Sequence, residues 1–199
     1  MISFSILDPN DTVALSAFCD GLNKAMILND DFIPFSETSL SDIRKLLSIG
    51  NGLLIGGKDG NALVCGLCAT FKEKNNVVLS KVWCLPEKQG NGYAKKLLAF
   101  AENLAHERNA SVLSLNVVRA NNRAFSLYRV MRYRALSVYA FRPGYGYSVK
   151  MCKPLKAKFS FNIKRLLTLS TSAVKFFLLF RSDATPRWIY KVIYEQKRN

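Results

Sequence analysis

The spacing of apolar and polar residues changes several times along the 199-residue chain, and each change marks an element. Ile2–Leu7 alternates as a half-buried strand does and stops at Asp8-Pro9. Asp8 ahead of Pro9 predicts a helix start, with Val13, Leu15, Phe18, Leu22 and Met26 on the inner side and an end near Leu28. A second start falls at Ser39 or Ser41, before Ile43, Leu46 and Leu47, with Gly50 as the stop. Three strands follow: GLLIGG, turning at Lys58-Asp59-Gly60; NALVCGLCATF, turning at Lys74-Asn75-Asn76; and VVLSKVWCL, ending at Pro86.

Past Pro86 the period lengthens. Ala94, Leu97, Leu98, Ala101 and Leu104 share one face of a helix running from Gly92 to about Arg108. SVLSLNVV is a strand, Asn121–Arg132 a helix, and ALSVYAF and YGYSVKMC are strands on either side of a turn at Pro143-Gly144. The order β α α β β β α β α β β predicts a mixed α/β domain with a crossover around residues 77–118. No internal repeat or low-complexity linker interrupts it.

Composition adds direction to this outline. The chain is 49% hydrophobic and 22% charged, which is globular, and long enough for one domain with a core plus an appendage. Its formal net charge is +15, distributed as −3 over residues 1–80, +9 over 81–150 and +9 over 151–199. The basic field therefore begins where the glycine-containing stretch after Pro86 begins and favours anionic partners: a phosphorylated cofactor, nucleic acid, an acidic protein or anionic lipid. The five cysteines are irregularly spaced. Cys65 and Cys68 fall three apart on a strand and so on opposite faces, with no second C-x-x-C or histidine pair to complete a metal site. They read as reduced, buried thiols, and no metal is expected. The N-terminus lacks a secretory pattern, and no stretch offers about 20 uninterrupted apolar residues for a spanning helix. A cytoplasmic protein is the expectation.

Two segments carry candidate chemistry. In PEKQGNGYAKKLL (Pro86–Leu98) a strand runs through Gln89, Gly90, Asn91, Gly92, Tyr93 and Ala94 into a helix. Unpartnered first-turn amides and the helix dipole suit a phosphate there, and glycine lets the backbone approach it. The Gly-Lys-Ser/Thr of a P-loop is absent, and so is the third glycine of a dinucleotide fingerprint. Alone, the segment is equally a plain strand-to-helix turn. In LNVVRANNRAFSLY a strand meets a helix on which Asn121, Ala124 and Tyr128 share one face. Alone, this helix also reads as an amphipathic helix with a capping Asn and a core Tyr.

Together, in this order and at this separation, the two segments resemble the acyl-CoA loop and the following strand and helix of the GNAT superfamily of N-acetyltransferases, over roughly residues 2–155. The resemblance implies the acyl-CoA N-acyltransferase fold, a mixed and mostly antiparallel central sheet with flanking helices, in a domain of residues 1–155. It implies acetyl-CoA as co-substrate, with the amides of Gln89, Gly90, Asn91, Gly92, Tyr93 and Ala94 on the pyrophosphate. The pantetheine arm would pair with the backbone of Val82-Trp83-Cys84, and an amide near Trp83 or Cys84 would polarise the thioester carbonyl. Asn121, with Ala124 on the same face, would hold the cofactor arm, and Tyr128 would protonate the leaving thiolate. The family often places a glutamate on the strand before the loop, whereas Ser80-Lys81-Val82-Trp83-Cys84 has no carboxylate. Glu37 and Glu73 are the remaining nearby acids, His106 lies at the far end of its helix, and a water chain or an acceptor of low pKa is the expected route for the proton. Met131-Arg132-Tyr133 also departs from the family, which often has a glycine before an aromatic.

The implied reaction is direct acetyl transfer to a primary amine in a ternary complex. The basic field favours an anionic acceptor over a polycation. Two alternatives stand beside it: transfer of a longer acyl chain from CoA or an acyl carrier protein, and a non-catalytic acyl-CoA-binding module. Residues 156–199 form a basic C-terminal extension with a helical pattern over Ile163–Leu178. It would cover the domain or a homodimer partner, lie on an anionic membrane surface, or hold an acidic macromolecule such as an acyl carrier protein or tRNA.

Overall fold

The computed structural model describes residues 2–27, 37–48, 51–72, 75–142 and 146–156. The expected extension after residue 156 lies outside them, as do Leu28, Gly50, Glu73 and the Pro143-Gly144 turn. Strand β1 (Ile2–Ile6) is followed by helices α1 (Thr12–Ile27) and α2 (Leu40–Ser48), then strands β2 (Gly52–Asp59), β3 (Ala62–Lys72) and β4 (Asn76–Cys84). Helix α3 (Tyr93–Glu107), strand β5 (Val112–Val118), helix α4 (Asn122–Val130) and strands β6 (Arg134–Arg142) and β7 (Gly146–Pro154) complete the domain. One sheet holds all seven strands in the order β1-β2-β3-β4-β5-β7-β6, and only β4 and β5 run parallel. This is the mixed α/β order that the residue pattern predicts and the mostly antiparallel sheet that the resemblance implies.

The sheet separates two cores. On one face Leu15, Phe18 and Leu22 of α1 and Ile43 of α2 close on Leu54, Cys68 and Trp83. On the other, Leu97, Leu98, Ala101 and Ala105 of α3 and Tyr128 of α4 close on Ile55, Cys65, Leu67, Leu79 and Leu113. Cys65 and Cys68 thus point to opposite cores, and all five cysteines are free thiols.

Two details of the first helix differ from expectation. Asp8 closes a local turn, accepting the Asn10 amide at 2.9 Å, while Asp11 caps α1 by accepting the Ala14 amide at 3.0 Å. Proline at residue 9 fits that turn as well as it fits a helix, and the helix begins three residues later. Val13 is 80% exposed, because two residues before Leu15 is the far side of a helix whose inner stripe is Leu15-Phe18-Leu22-Ala25. At α2 the cap is Ser39: its hydroxyl accepts the Asp42 amide, and the Asp42 carboxylate accepts the Ser39 amide in return.

β4 is the strand that departs from regularity. Its register with β3 slips between Gly66↔Trp83 and Cys68↔Ser80, so Leu67 faces both Lys81 and Val82. Lys81 takes φ +49°, a left-handed conformation unusual for lysine. This bulge twists β4 away from its parallel neighbour. β4 and β5 pair only from Asn76↔Val112 to Leu79↔Leu115, although both continue beyond. The far side of the bulge is pinned by Trp83, whose ring meets Phe18 edge-on at 5.5 Å between centroids. Two glycines make room for it. A Cβ at Gly21 would lie 2.2 Å from Trp83 Cη2, and one at Gly66 would lie 2.6 Å from Phe18 Cε2 and 2.9 Å from Trp83 Nε1.

Gly66→Ala therefore overpacks the Phe18–Trp83 contact and should cost about 1–3 kcal/mol in stability. Urea unfolding checks this; a variant with the midpoint of the parent protein would show that the indole is not confined.

Candidate functional site

The parting of β4 from β5 leaves backbone without a strand partner. Leu85 donates its amide to Val64 O at 2.9 Å, and Trp83 stands opposite Gly66 in the same register. Residues 83 and 85 thus turn their amides toward β3, and alternation turns those of Val82 and Cys84 into the gap. The gap is a wedge between two strands of one sheet, walled by the peptide groups of residues 82 and 84.

At the wide end of the wedge stands the glycine loop. Gly90 and Gly92 have φ +86° and +75°, and a Cβ on either would meet nothing within 4 Å. Gly92 is the N-cap of α3, no side chain caps the helix, and the first intrahelical bond is Lys96 N–H to Gly92 O at 3.1 Å. The amides of Tyr93, Ala94 and Lys95 therefore precede that first bond in an open cradle at the positive end of the helix dipole. Asn91 donates its side-chain amide to Lys88 O, which holds the loop's curve. Lys88 itself pairs with Asp59 at 2.9 Å, and the Tyr93 hydroxyl donates to the same carboxylate. The exposed lysines of the cradle are Lys95 and Lys96.

Gln89 spans the mouth of the wedge. Its Nε2 donates to Cys84 O at 3.2 Å, and its Oε1 accepts from the Arg123 guanidinium on α4. Arg123 is the member of this region that sequence reading overlooked. It occupies the first turn of α4, and no periodic or spacing signal marks it.

α4 places the remaining candidates. Asn121 is its N-cap, with Oδ1 accepting the Ala124 amide at 3.0 Å, so this carboxamide organises the first turn of the helix. Tyr128 is 7% exposed and packs in the core that also holds Val82, Cys84 and Leu85. Its ring meets that of Tyr133 at 5.9 Å, and burial pushes its phenol up to about 12. The turn after it is locked by two bonds, Tyr133 N–H to Tyr128 O and Arg132 N–H to Arg129 O, both 2.9 Å. This is a Schellman motif with Arg132 at the left-handed position, φ +67°, which glycine usually fills. Arginine there costs about 1 kcal/mol or a little more, yet the turn keeps its geometry. The departure at Met131-Arg132-Tyr133 leaves Tyr128 well held.

The other acids and the histidine fall elsewhere. Glu37 is exposed, and His106 is exposed in the last turn of α3, at the opposite end from Gly92. Glu73 lies outside the described residues. Among the described residues no group of three or more His, Cys, Asp or Glu side chains is placed to hold a metal ion.

The acetyltransferase (GNAT) family model matches residues 24–132, and the chain belongs to this family. It is accordingly an acyl-CoA-dependent acetyltransferase. No curated protein matches it in sequence. Similar solved structures include the ribosomal-protein-S18-alanine N-acetyltransferase from Escherichia coli, 16% identical over 81% of this chain and 98% of that one, with a TM-score of 0.65. The aminoglycoside 6'-acetyltransferase type Ii is 14% identical over 78% and 99%, with a TM-score of 0.66. The paia N-acetyltransferase from Thermoplasma acidophilum, solved in complex with coenzyme A, is 17% identical over 75% and 98%, with a TM-score of 0.61. At these identities the likeness is one of fold.

Two outcomes follow from this geometry. Gly92→Val puts a branched side chain at a left-handed N-cap that faces the open cradle, and should weaken coenzyme A binding at least tenfold by calorimetry; parental affinity would remove the loop from the site. Stability should fall as pH rises from 10 toward 12, because the unfolded chain releases its phenolic proton near 10 while folded Tyr128 keeps its proton to about 12. Tyr128→Phe should reduce that slope in pH-dependent denaturation, the remainder coming from Tyr133 and Cys65, whose protons burial also retains.

Proposed function

We propose that the protein transfers an acetyl group from acetyl-CoA to a primary amine carried by an anionic acceptor, by direct attack within a ternary complex. The observation that carries this reading is the wedge between β4 and β5, with the uncapped α3 N-terminus at its open end and a buried tyrosine in the core behind it. Amides of Gly90 to Ala94 hold the pyrophosphate of coenzyme A, supported by Lys95, Lys96 and Arg123, whereas the expected Gln89 amide donates to Pro86 O at 3.2 Å and closes the turn before the loop. The pantetheine arm occupies the wedge as an added strand against Val82 and Cys84, beside Asn121 and Ala124. The Cys84 carbonyl and Gln89 exchange their mutual bond for bonds to the arm. A β4 amide turned into the wedge polarises the thioester carbonyl and stabilises the oxyanion formed on attack.

Burial keeps the Tyr128 phenol protonated across the physiological range. Outright proton transfer from a group near 12 to a thiolate of ordinary basicity is uphill by roughly 5 kcal/mol. Tyr128 thus begins as a hydrogen-bond donor to the sulfur and completes the transfer as charge builds there in the same apolar wall. Cys84 stands in the wedge, but burial raises its thiol and keeps it neutral, which favours direct transfer over an acyl-cysteine relay. β4 offers no carboxylate, so the amine loses its proton to water.

Tyr128→Phe should lower kcat about a hundredfold while changing coenzyme A affinity less than threefold. Thiol release from acetyl-CoA with a panel of amines, alongside calorimetry, reads both. Undiminished turnover would dismiss the tyrosine as the acid.

A further inference from the structure

A thioester lying in the wedge has two faces. The one toward α3 and α4 meets Tyr128 and its core. An attacking amine comes from the other, beneath α1 and α2. A sheet face under helices is ordinarily apolar, but here it turns polar past Cys68 and Trp83. Thr70, Lys72 and Ser80, with Leu46 of α2, line a cavity of about 260 Å³. The residue after Ser80 is the bulge lysine, and the left-handed backbone at Lys81 sends its side chain to this same face, where Nζ donates to Thr38 Oγ1 at 3.0 Å.

Thr38 is a fixed partner. It is buried, and Asn23 of α1 clamps it from both sides, donating to Thr38 O at 3.1 Å and accepting from Thr38 N at 2.9 Å. The Lys81 ammonium is half-buried, and among the described residues no carboxylate lies within ion-pair distance of it. Asp42 faces it from α2, beyond ion-pair distance, with its Oδ2 held by the Ser39 amide at 2.9 Å and the Ser39 hydroxyl at 2.7 Å. Cys19 of α1 and Cys68 of β3 also face it, as thiols that burial keeps neutral. One neutral hydroxyl thus serves a cation with three N–H donors. Ammonium groups held this way bind carboxylate or phosphate oxygens through charge-assisted bonds.

We infer that Lys81 sets acceptor specificity: its ammonium, beside the Thr38 hydroxyl, receives a carboxylate or phosphate carried by the amine substrate and so aims the amine at the thioester. A strand without a carboxylate then carries a binding lysine in this chain. The inference rests on the acetyl-transfer reading above and assigns the anionic group of the acceptor to one residue.

The test pairs turnover with binding. Acetyl transfer from acetyl-CoA is measured with β-alanine, 4-aminobutyrate and O-phosphoethanolamine against ethylamine and butylamine. The anionic amines should be preferred at least tenfold in kcat/KM, mainly through KM, and the carboxylate and phosphate members tell the two anions apart. Lys81→Gln should collapse the ratio toward one, Lys81→Arg should restore most of it, and Lys45→Gln on the exposed side of α2 should leave the ratio as it is. In parallel, sodium butyrate and sodium phosphate are each titrated while the backbone amides of Thr38 and Lys81 are followed by NMR. Saturable shifts that vanish in Lys81→Gln support the subsite without any turnover. Equal ratios in the parent protein and Lys81→Gln, or no saturable shift at these amides, would overturn the inference. Butyrate-dependent shifts without acetylation of any amine would instead bring down the acetyl-transfer reading and leave the anion subsite standing.

Discussion

Everything that distinguishes this domain from an ordinary twisted sheet depends on the failure of β4 and β5 to stay paired. The failure has a local cause. One extra residue at Lys81 and Val82 rotates the end of β4, and pairing stops at Leu79↔Leu115. Backbone donors and acceptors cannot be left dry without cost, so the amides of Val82 and Cys84 must find water or a ligand, while the Cys84 carbonyl is met by Gln89 Nε2. The fold thus holds a sheet with an unfilled gap between β4 and β5. The Phe18–Trp83 contact, seated through Gly21 and Gly66, keeps the bent end of β4 from relaxing back toward its neighbour.

Charge is arranged around that gap with an economy the overall figure of +15 conceals. Lys88 is neutralised by Asp59, and Lys153 pairs with Glu102 at 2.6 Å. Lys95 and Lys96 flank the cradle, Arg123 crosses the mouth through Gln89, and Lys81 stands on the opposite face of the sheet. These cations thus fall on two sides of the β4–β5 gap. A phosphorylated donor and an anionic acceptor would each meet its own.

Much of the fold was legible because it rests on local rules. Strand alternation, the Leu97-Leu98-Ala101-Leu104 stripe and the Gly90/Gly92 punctuation all survive into the structure. The first helix shows the limit. Asp8-Pro9 carries a valid start signal, but Asp11 competes for the same role three residues on and wins, and Val13 was drawn into a stripe that geometry assigns to Leu15 and Phe18. The site was legible in part. The loop and the Asn121-Ala124-Tyr128 face stood out by spacing, whereas the bulge did not, because a register slip is a property of two strands and no single strand announces it. Arg123 was silent for the same reason: its partner, Gln89, lies 34 residues away in sequence. Lys81 is visible in the sequence only as one residue of a strand, Ser80–Cys84, that lacks a carboxylate.

The wedge also bears on how such a chain can change over time. Its walls and cradle are peptide groups, which every substitution except proline carries along. Three acetyltransferases share this chain's architecture at 14–17% identity. The half beneath α1 and α2 is built from side chains, Thr38, Thr70, Ser80 and Lys81 among them, and is free to be rewritten residue by residue. Backbone geometry shapes one face of the gap, and side-chain identity shapes the other.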